Sequence, residues 1–180
     1  MELQEIVLPI TQPETEWVRG RALQKVSPTR DHSRLQMKIA TALDLWSPGR
    51  GEVGTEWRFR IGLPGEPLRP LVPDVSFVAV ERLRGLTRDA IQAPAFAPTV
   101  AVEILSPGDD PLDVASKIDV YLRGGCSLAI VVDPGKRTVM LYDETETRLL
   151  TARDTLSHPA LPGFELALGA LFAAALDLPT

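Results

Sequence analysis

The chain has a single cysteine, Cys126, among its 180 residues. That excludes an internal disulfide and a zinc cage built from several thiolates. It agrees with a reducing compartment, and Cys126 reads as a small core residue. There is no apolar run approaching the roughly 20 residues of a membrane-crossing helix, and the N-terminus lacks the basic and apolar segments of a signal peptide. These absences predict a soluble, cytoplasmic protein. Positive charge is also in short supply. At a net charge of -5 the chain does not coat nucleic acid by bulk attraction, because that binding needs lysines and arginines to displace phosphate counterions. A nucleic-acid role has to rest on a local patch. No internal repeat is present. The 44% apolar share suffices for one sizeable core, so the expectation is a single domain over 1–180 with a loose lead-in over 1–15.

Proline, in contrast, is plentiful and punctuates the chain. A short strand is expected over 21–26. Ser27-Pro28 can then open a helix, since serine caps well and proline is tolerated in a first turn. Leu35, Ile39, Leu43 and Trp46 recur at helical spacing until Pro48-Gly49. Across Thr55–Ile61 apolar and charged residues alternate with period two, which predicts one strand with a buried face. Another strand starts at Asp74 and runs through Val75, Phe77 and Val78, and residues 82–98 read as a partly helical surface excursion. Thr99–Leu105 is apolar at nearly every position except Glu103 and predicts a buried strand. A helix is expected from about 111 to Arg123, opened by Asp110-Pro111 and stopped by Gly124-Gly125. Leu128–Val132 is a second buried strand, which makes 99–132 a parallel strand-helix-strand crossover. Asp133-Pro134-Gly135-Lys136 then turns the chain into Thr138–Tyr142 as a hairpin, and 166–177, rich in Leu and Ala, closes it as a helix.

Asp74 and Glu103 thus sit at the ends of two apolar strands, with Lys117 close behind in a helix. These are the parts of a divalent-metal site for phosphodiester cleavage. Such a reaction needs a cation to polarise the phosphoryl group and acidify a water, and magnesium prefers oxygen ligands while keeping several waters. An unpaired carboxylate in an apolar strand is costly to bury, so Glu103 has to be neutralised, exposed at the strand end or metal-bound. The plain structural readings stand beside this one. Glu103 could pair with a buried Arg58 or Arg60, Asp74 after Pro73 fits turn chemistry, and Lys117 fits a solvated position paired with Asp113 or the Tyr121 hydroxyl.

Five ordered pieces carry a family resemblance. They are Lys25-Val26-Ser27-Pro28 with His32 a turn later, Pro73-Asp74-Val75-Ser76, Val102-Glu103-Ile104-Leu105-Ser106-Pro107, Lys117 with Tyr121 and Gly124-Gly125, and Val132-Asp133-Pro134. From roughly Trp17 to the closing helix the chain resembles the Uma-type putative restriction endonucleases of the PD-(D/E)xK nuclease superfamily. The resemblance implies an α/β fold with a restriction-endonuclease-like core: helix, three strands, helix and strand, in a mixed sheet flanked by helices, with an added β-hairpin. It implies an endonuclease that hydrolyses phosphodiester bonds, with DNA as the expected substrate. Mg2+, or Mn2+ in its place, would be held by Asp74, Glu103 and the carbonyl of Ile104.

The superfamily lysine stands two residues after the acid, where this chain has Leu105. The Uma-type pattern takes it from the following helix, where Lys117 stands to orient the water or stabilise transition-state charge. His32 is the fourth catalytic candidate, touching phosphate or a metal-bound water, or else simply capping its helix. Arg19, Arg21, Arg30 and Arg34 form either the local basic patch or a solvated face. Asp109, Asp110 and Asp133 read as cap and turn acids, and His158 lies in a loop with no visible partner.

Two departures from the family pattern stand out. Ser127-Leu128-Ala129 replaces an acid and two aromatics, which bears on packing or a subunit interface. The acid often found near Arg21 is missing, with Glu16 as its candidate substitute. A catalytically silent nucleic-acid- or protein-binding module and a phosphoesterase for a smaller substrate are the alternative functions, and a homodimer is the expected assembly.

Overall fold

The computed structural model describes residues 4–179. A small ribbon of β1 (Thr15–Val18) and β2 (Arg21–Gln24) leads into helix α1 (Arg30–Trp46). Next come β3 (Gly51–Thr55), a second ribbon of β4 (Phe59–Ile61) and β5 (Arg69–Leu71), β6 (Val75–Ala79), and the short helices α2 (Val80–Leu83) and α3 (Arg88–Gln92). The second half holds β7 (Val100–Ile104), α4 (Pro111–Arg123), β8 (Leu128–Asp133), β9 (Thr138–Tyr142), β10 (Thr147–Thr151), β11 (Thr155–Leu156), β12 (Leu166–Ala167) and α5 (Leu168–Leu176). The main sheet has the order β10-β9-β8-β7-β6-β3. Only β7 and β8, joined through α4, run parallel; every other neighbouring pair in this sheet is antiparallel. This is the mixed α/β sheet flanked by helices that the resemblance implies. No helix among the described residues is long and apolar enough to cross a membrane.

Period-two alternation divides the core between the two sheet faces. Val75, Phe77, Val100, Val102 and Ile104 join Leu35, Ile39 and Leu43 of α1 and Leu168, Leu171 and Phe172 of α5 on one side. Val78, Ala101, Ala129 and Val131 join Ile118 and Tyr121 of α4 and Phe59 and Ile61 of β4 on the other. The small side chains of Ala101 and Ala129 let α4 lie close. Glu103 shares the parity of Ala101, so its side chain emerges on the α4 face. Asp74, in step with Ser76 and Val78, does the same.

Several expectations change in detail. Residues 1–3 of the lead-in lie outside the described residues, whereas the end of the lead-in is ordered as the start of β1. The helix cap is Thr29, whose side chain accepts the His32 N–H, so Ser27-Pro28 precedes the helix and does not open it. The single strand expected over Thr55–Ile61 is two pieces belonging to different sheets. The break falls at Glu56, whose positive φ of 51° turns the chain out of the ladder. Helix α4, the β8–β9 hairpin and the closing helix are found where periodicity and caps put them.

Gly51 marks a point where backbone replaces side chain. A Cβ there would stand 2.1 Å from the Val78 carbonyl oxygen, in the neighbouring strand. Gly51→Ala should therefore destabilise the β3–β6 edge by about 1–3 kcal/mol, the usual range for overpacking. Urea unfolding checks this, and an unchanged midpoint would contradict the close approach.

Candidate functional site

Strands β6 and β7 are antiparallel with Val75 opposite Val102, so one step further Asp74 faces Glu103 at the sheet end. Helix α4 brings Lys117 over the same end, α1 brings His32, and the first ribbon supplies Glu16 and, just past β2, Lys25. Together with Ile104, Leu105 and Ser106 these residues line a cleft of about 160 Å3. Asp74, Glu103, Glu16, Lys117 and His32 are all buried.

Each carboxylate is held from two sides. Asp74 Oδ1 accepts from Lys25 Nζ at 2.7 Å, and Oδ2 accepts the Ile104 N–H at 2.7 Å with His32 Nε2 3.2 Å away. Burial opposes the charge of Asp74, yet the contact with His32 and the ammonium of Lys25 outweigh it and hold the carboxyl well below its ordinary range. Glu103 Oε2 accepts from Lys117 Nζ at 2.7 Å and Oε1 accepts the Tyr121 hydroxyl at 2.7 Å. Here burial prevails over the attraction of Lys117, and with Asp74 and Glu16 repelling from nearby the carboxyl is pushed up to about 7. Lys117 also donates to Glu16 Oε2 at 2.9 Å, while Glu16 Oε1 accepts the Val72 N–H at 2.7 Å. Burial disfavours the Lys117 ammonium, but Glu103 and Glu16 more than restore it and raise it to about 12.

The structure therefore brings all four candidate catalytic residues together. Lys117 turns inward to Glu103; its alternative partner Asp113 is taken by Arg19 and Arg21, and the Tyr121 hydroxyl serves Glu103. Glu103 does not pair with Arg58 or Arg60, which bind Glu14 and Glu5 instead. His32 lies against Asp74, and its Nδ1 is buried with no hydrogen-bond partner among the described residues. The four arginines proposed as a basic patch have internal partners. Arg19 and Arg21 bind Asp113, while Arg30 and Arg34 bind main-chain carbonyls at the end of α5, where a cation suits the helix dipole. His158 is not partnerless: its Nε2 lies 2.9 Å from Asp143 Oδ2, and its Nδ1 accepts the Ala160 N–H. Asp109, Asp110 and Asp133 accept nearby main-chain N–H groups as cap and turn acids do.

Sequence reasoning left Lys25 without a role and Glu16 only as a substitute. The signal for Glu16 was an acid beside Trp17 and Val18; for Lys25 it was its place in the Lys25-Val26-Ser27-Pro28 piece of the resemblance, which named no partner because its partners come from residues 56 and 72–74.

The donors are carboxylate and carbonyl oxygens, the type that magnesium or manganese takes. Four carboxyls, Asp74, Glu103, Glu16 and the more exposed Glu56, face two ammonium groups, Lys25 and Lys117, so full ionisation leaves two negative charges uncompensated by them. No three acidic, histidine or cysteine side chains form a ready cage among the described residues. Magnesium does not require one, since one or two carboxylates, waters and substrate phosphate are its usual set. Asp74, Glu103 and Ile104 are the residues that would hold it.

Comparison with known proteins agrees with this architecture. The model of the Uma2 family, described as putative restriction endonuclease, matches residues 5–169. No match is found among curated proteins. Among solved structures, a crystal structure of a putative nuclease belonging to DUF820 from Anabaena variabilis is 26% identical, with a TM-score of 0.83 over 94% of this chain and 95% of that one. The family match spans nearly the whole chain, site included, and the chain belongs to the Uma2 putative restriction endonuclease family.

Proposed function

We propose that this chain is a metal-dependent endonuclease that hydrolyses phosphodiester bonds of DNA, using Mg2+ or Mn2+ held by Asp74, Glu103 and the carbonyl of Ile104. The observation that carries the reading is the facing of Asp74 and Glu103 at adjacent strand ends beside a buried Lys117, with more carboxyls than the two ammonium groups neutralise. The family description and the nuclease relative support the reaction class. When bound, the cation supplies Lewis acidity toward the phosphoryl group and its water. Asp74 contributes a carboxylate already ionised, oriented by the Ile104 N–H and His32. Lys117 keeps a proton at the cleft wall and places positive charge where the phosphate becomes more negative. His32 positions Asp74 from α1.

A second reading has its own observation. Each oxygen of Asp74 and Glu103 already accepts from a protein donor, as a silent module retaining the fold would require. Manganese calorimetry with a plasmid-cleavage assay on the same samples separates the two. For the nuclease, Asp74→Ala and Glu103→Ala each abolish cleavage and weaken manganese binding by about tenfold or more. Normal manganese affinity in both variants ends the proposal, and absence of binding by the wild type favours the silent module. Lys117→Ala should lower kcat by roughly 10^2–10^3-fold at saturating manganese. An unchanged rate removes Lys117 from the chemistry.

The raised carboxyl of Glu103 sets a pH dependence. An acid whose folded pKa lies above its unfolded value stabilises the fold below the unfolded value, and that contribution is lost as pH rises through about 7. Without metal, the wild type should lose stability between about pH 5 and pH 8 by a component that Glu103→Gln lacks. Manganese affinity should rise over the same window, because the cation displaces the proton. Urea unfolding and calorimetry at the two ends of the window test both signs.

A further inference from the structure

Lys25 is bound on every side. Its ammonium donates to Asp74 Oδ1 at 2.7 Å, Glu56 Oε2 at 2.9 Å and the Val72 carbonyl at 2.9 Å, which accounts for all three of its protons. It therefore occupies one of the two oxygens that Asp74 could offer to a cation. Glu56, in contrast, lies outside the set assigned to the metal and is partly exposed. The chain goes to some length to keep it there. Glu56 is one of the non-glycine residues with positive φ, at 51°, a conformation that costs free energy and persists only where its surroundings hold it. Its N–H donates to the Asp74 carbonyl at 3.3 Å. Gln36, one turn after His32 on α1, donates from Nε2 to Glu56 Oε1 at 2.8 Å and to the same Asp74 carbonyl at 2.9 Å. One oxygen of Glu56 is thus fixed by Gln36, and the other is presented to Lys25.

We infer that Lys25 is the resident counter-ion of Asp74, which a divalent cation displaces from Oδ1, and that Glu56 is the receiver built to hold the displaced ammonium. The inference rests on the reading of Asp74 as a metal ligand. A dication and an ammonium cannot both lie against the same carboxylate oxygen without strong repulsion at low dielectric. Glu56 lets Lys25 give up that oxygen while still retaining a carboxylate and a carbonyl as partners, so its charge is not left uncompensated in a site from which water is largely excluded. Lys25 and Glu56 are on this account positioning residues that set the affinity of the site for its ion.

The test is a double-mutant cycle on manganese affinity, measured by calorimetry with manganese alone and no nucleic acid. The four proteins are wild type, Glu56→Gln, Lys25→Met and the double variant. Lys25→Gln serves in place of Lys25→Met if the latter does not fold, because its amide retains a hydrogen bond to the Val72 carbonyl. Lys25→Met is expected to tighten manganese binding about tenfold, within the ordinary span of coupling between sites. Glu56→Gln is expected to weaken binding about fivefold when Lys25 is present, and less than about twofold when it is absent, because the receiver then has nothing to receive. Equal weakening in both backgrounds would show that the two charges act on the ion independently. That overturns the exchange while leaving the metal site standing. Absence of manganese binding in all four proteins would instead remove the metal reading of Asp74, and the exchange with it.

Discussion

Five ionisable side chains, Asp74, Glu103, Glu16, Lys25 and Lys117, are packed against one another at the end of the central sheet, largely out of water. Burying a charge costs several kcal/mol unless it meets an opposite charge in good hydrogen-bond geometry, and removing one partner leaves the other uncompensated. Each of these groups therefore depends on the others being in place. They come from the first ribbon, the ends of β6 and β7, and helix α4, so the requirement for mutual neutralisation fixes where those elements must meet. The hydrophobic core on either face of the sheet supplies the driving force for folding, and the charge cluster dictates the alignment of the pieces.

The route by which lysine reaches the site illustrates the constraint. In this chain the residue two places after Glu103 on the strand is Leu105, and the ammonium arrives from a helix instead. Lys117 reaches Glu103 because Ala101 and Ala129 keep the sheet surface low beneath α4, which allows its four-carbon stem to span the gap. The Asp110 cap and Pro111 set the start of the helix, and Asp113 is tied to Arg19 and Arg21, so the register of α4 over the sheet is held from its first turn. The same arginines are thereby removed from the supply of free positive charge. What remains at the cleft is an excess of carboxyl over ammonium.

Much of the fold was legible in the chain because the relevant signals are local. Leu35, Ile39 and Leu43 at helical spacing, the Asp110-Pro111 opening and Gly124-Gly125 close of α4, and the apolar runs of β7 and β8 each reflect the chemistry of neighbouring residues. Glu103 stands out locally as the one acid in an apolar strand, whereas Asp74, Lys117 and His32 were singled out by their places in the ordered pieces of the family resemblance. The misreadings are non-local. The alternation over Thr55–Ile61 reads as one strand, yet Glu56 leaves the ladder because Gln36, Lys25 and the Asp74 carbonyl hold it, and none of these is close in sequence. The arginines near α1 read as a patch because their acidic and carbonyl partners lie far along the chain.

By itself, then, the sequence determined most of the segments that become helix and strand, which face of each is apolar, and that Glu103 is too costly to bury without a partner. These are matters of period, capping and desolvation, all carried within a few residues. Tertiary structure alone decided who neutralises whom: that Lys117 serves Glu103 and Glu16, that Lys25 serves Asp74 and Glu56, and that the surface arginines serve Asp113 and the end of α5. Ion pairing depends on distances of a few ångströms between groups far apart in the chain, and those distances exist only once the sheet and its helices have packed.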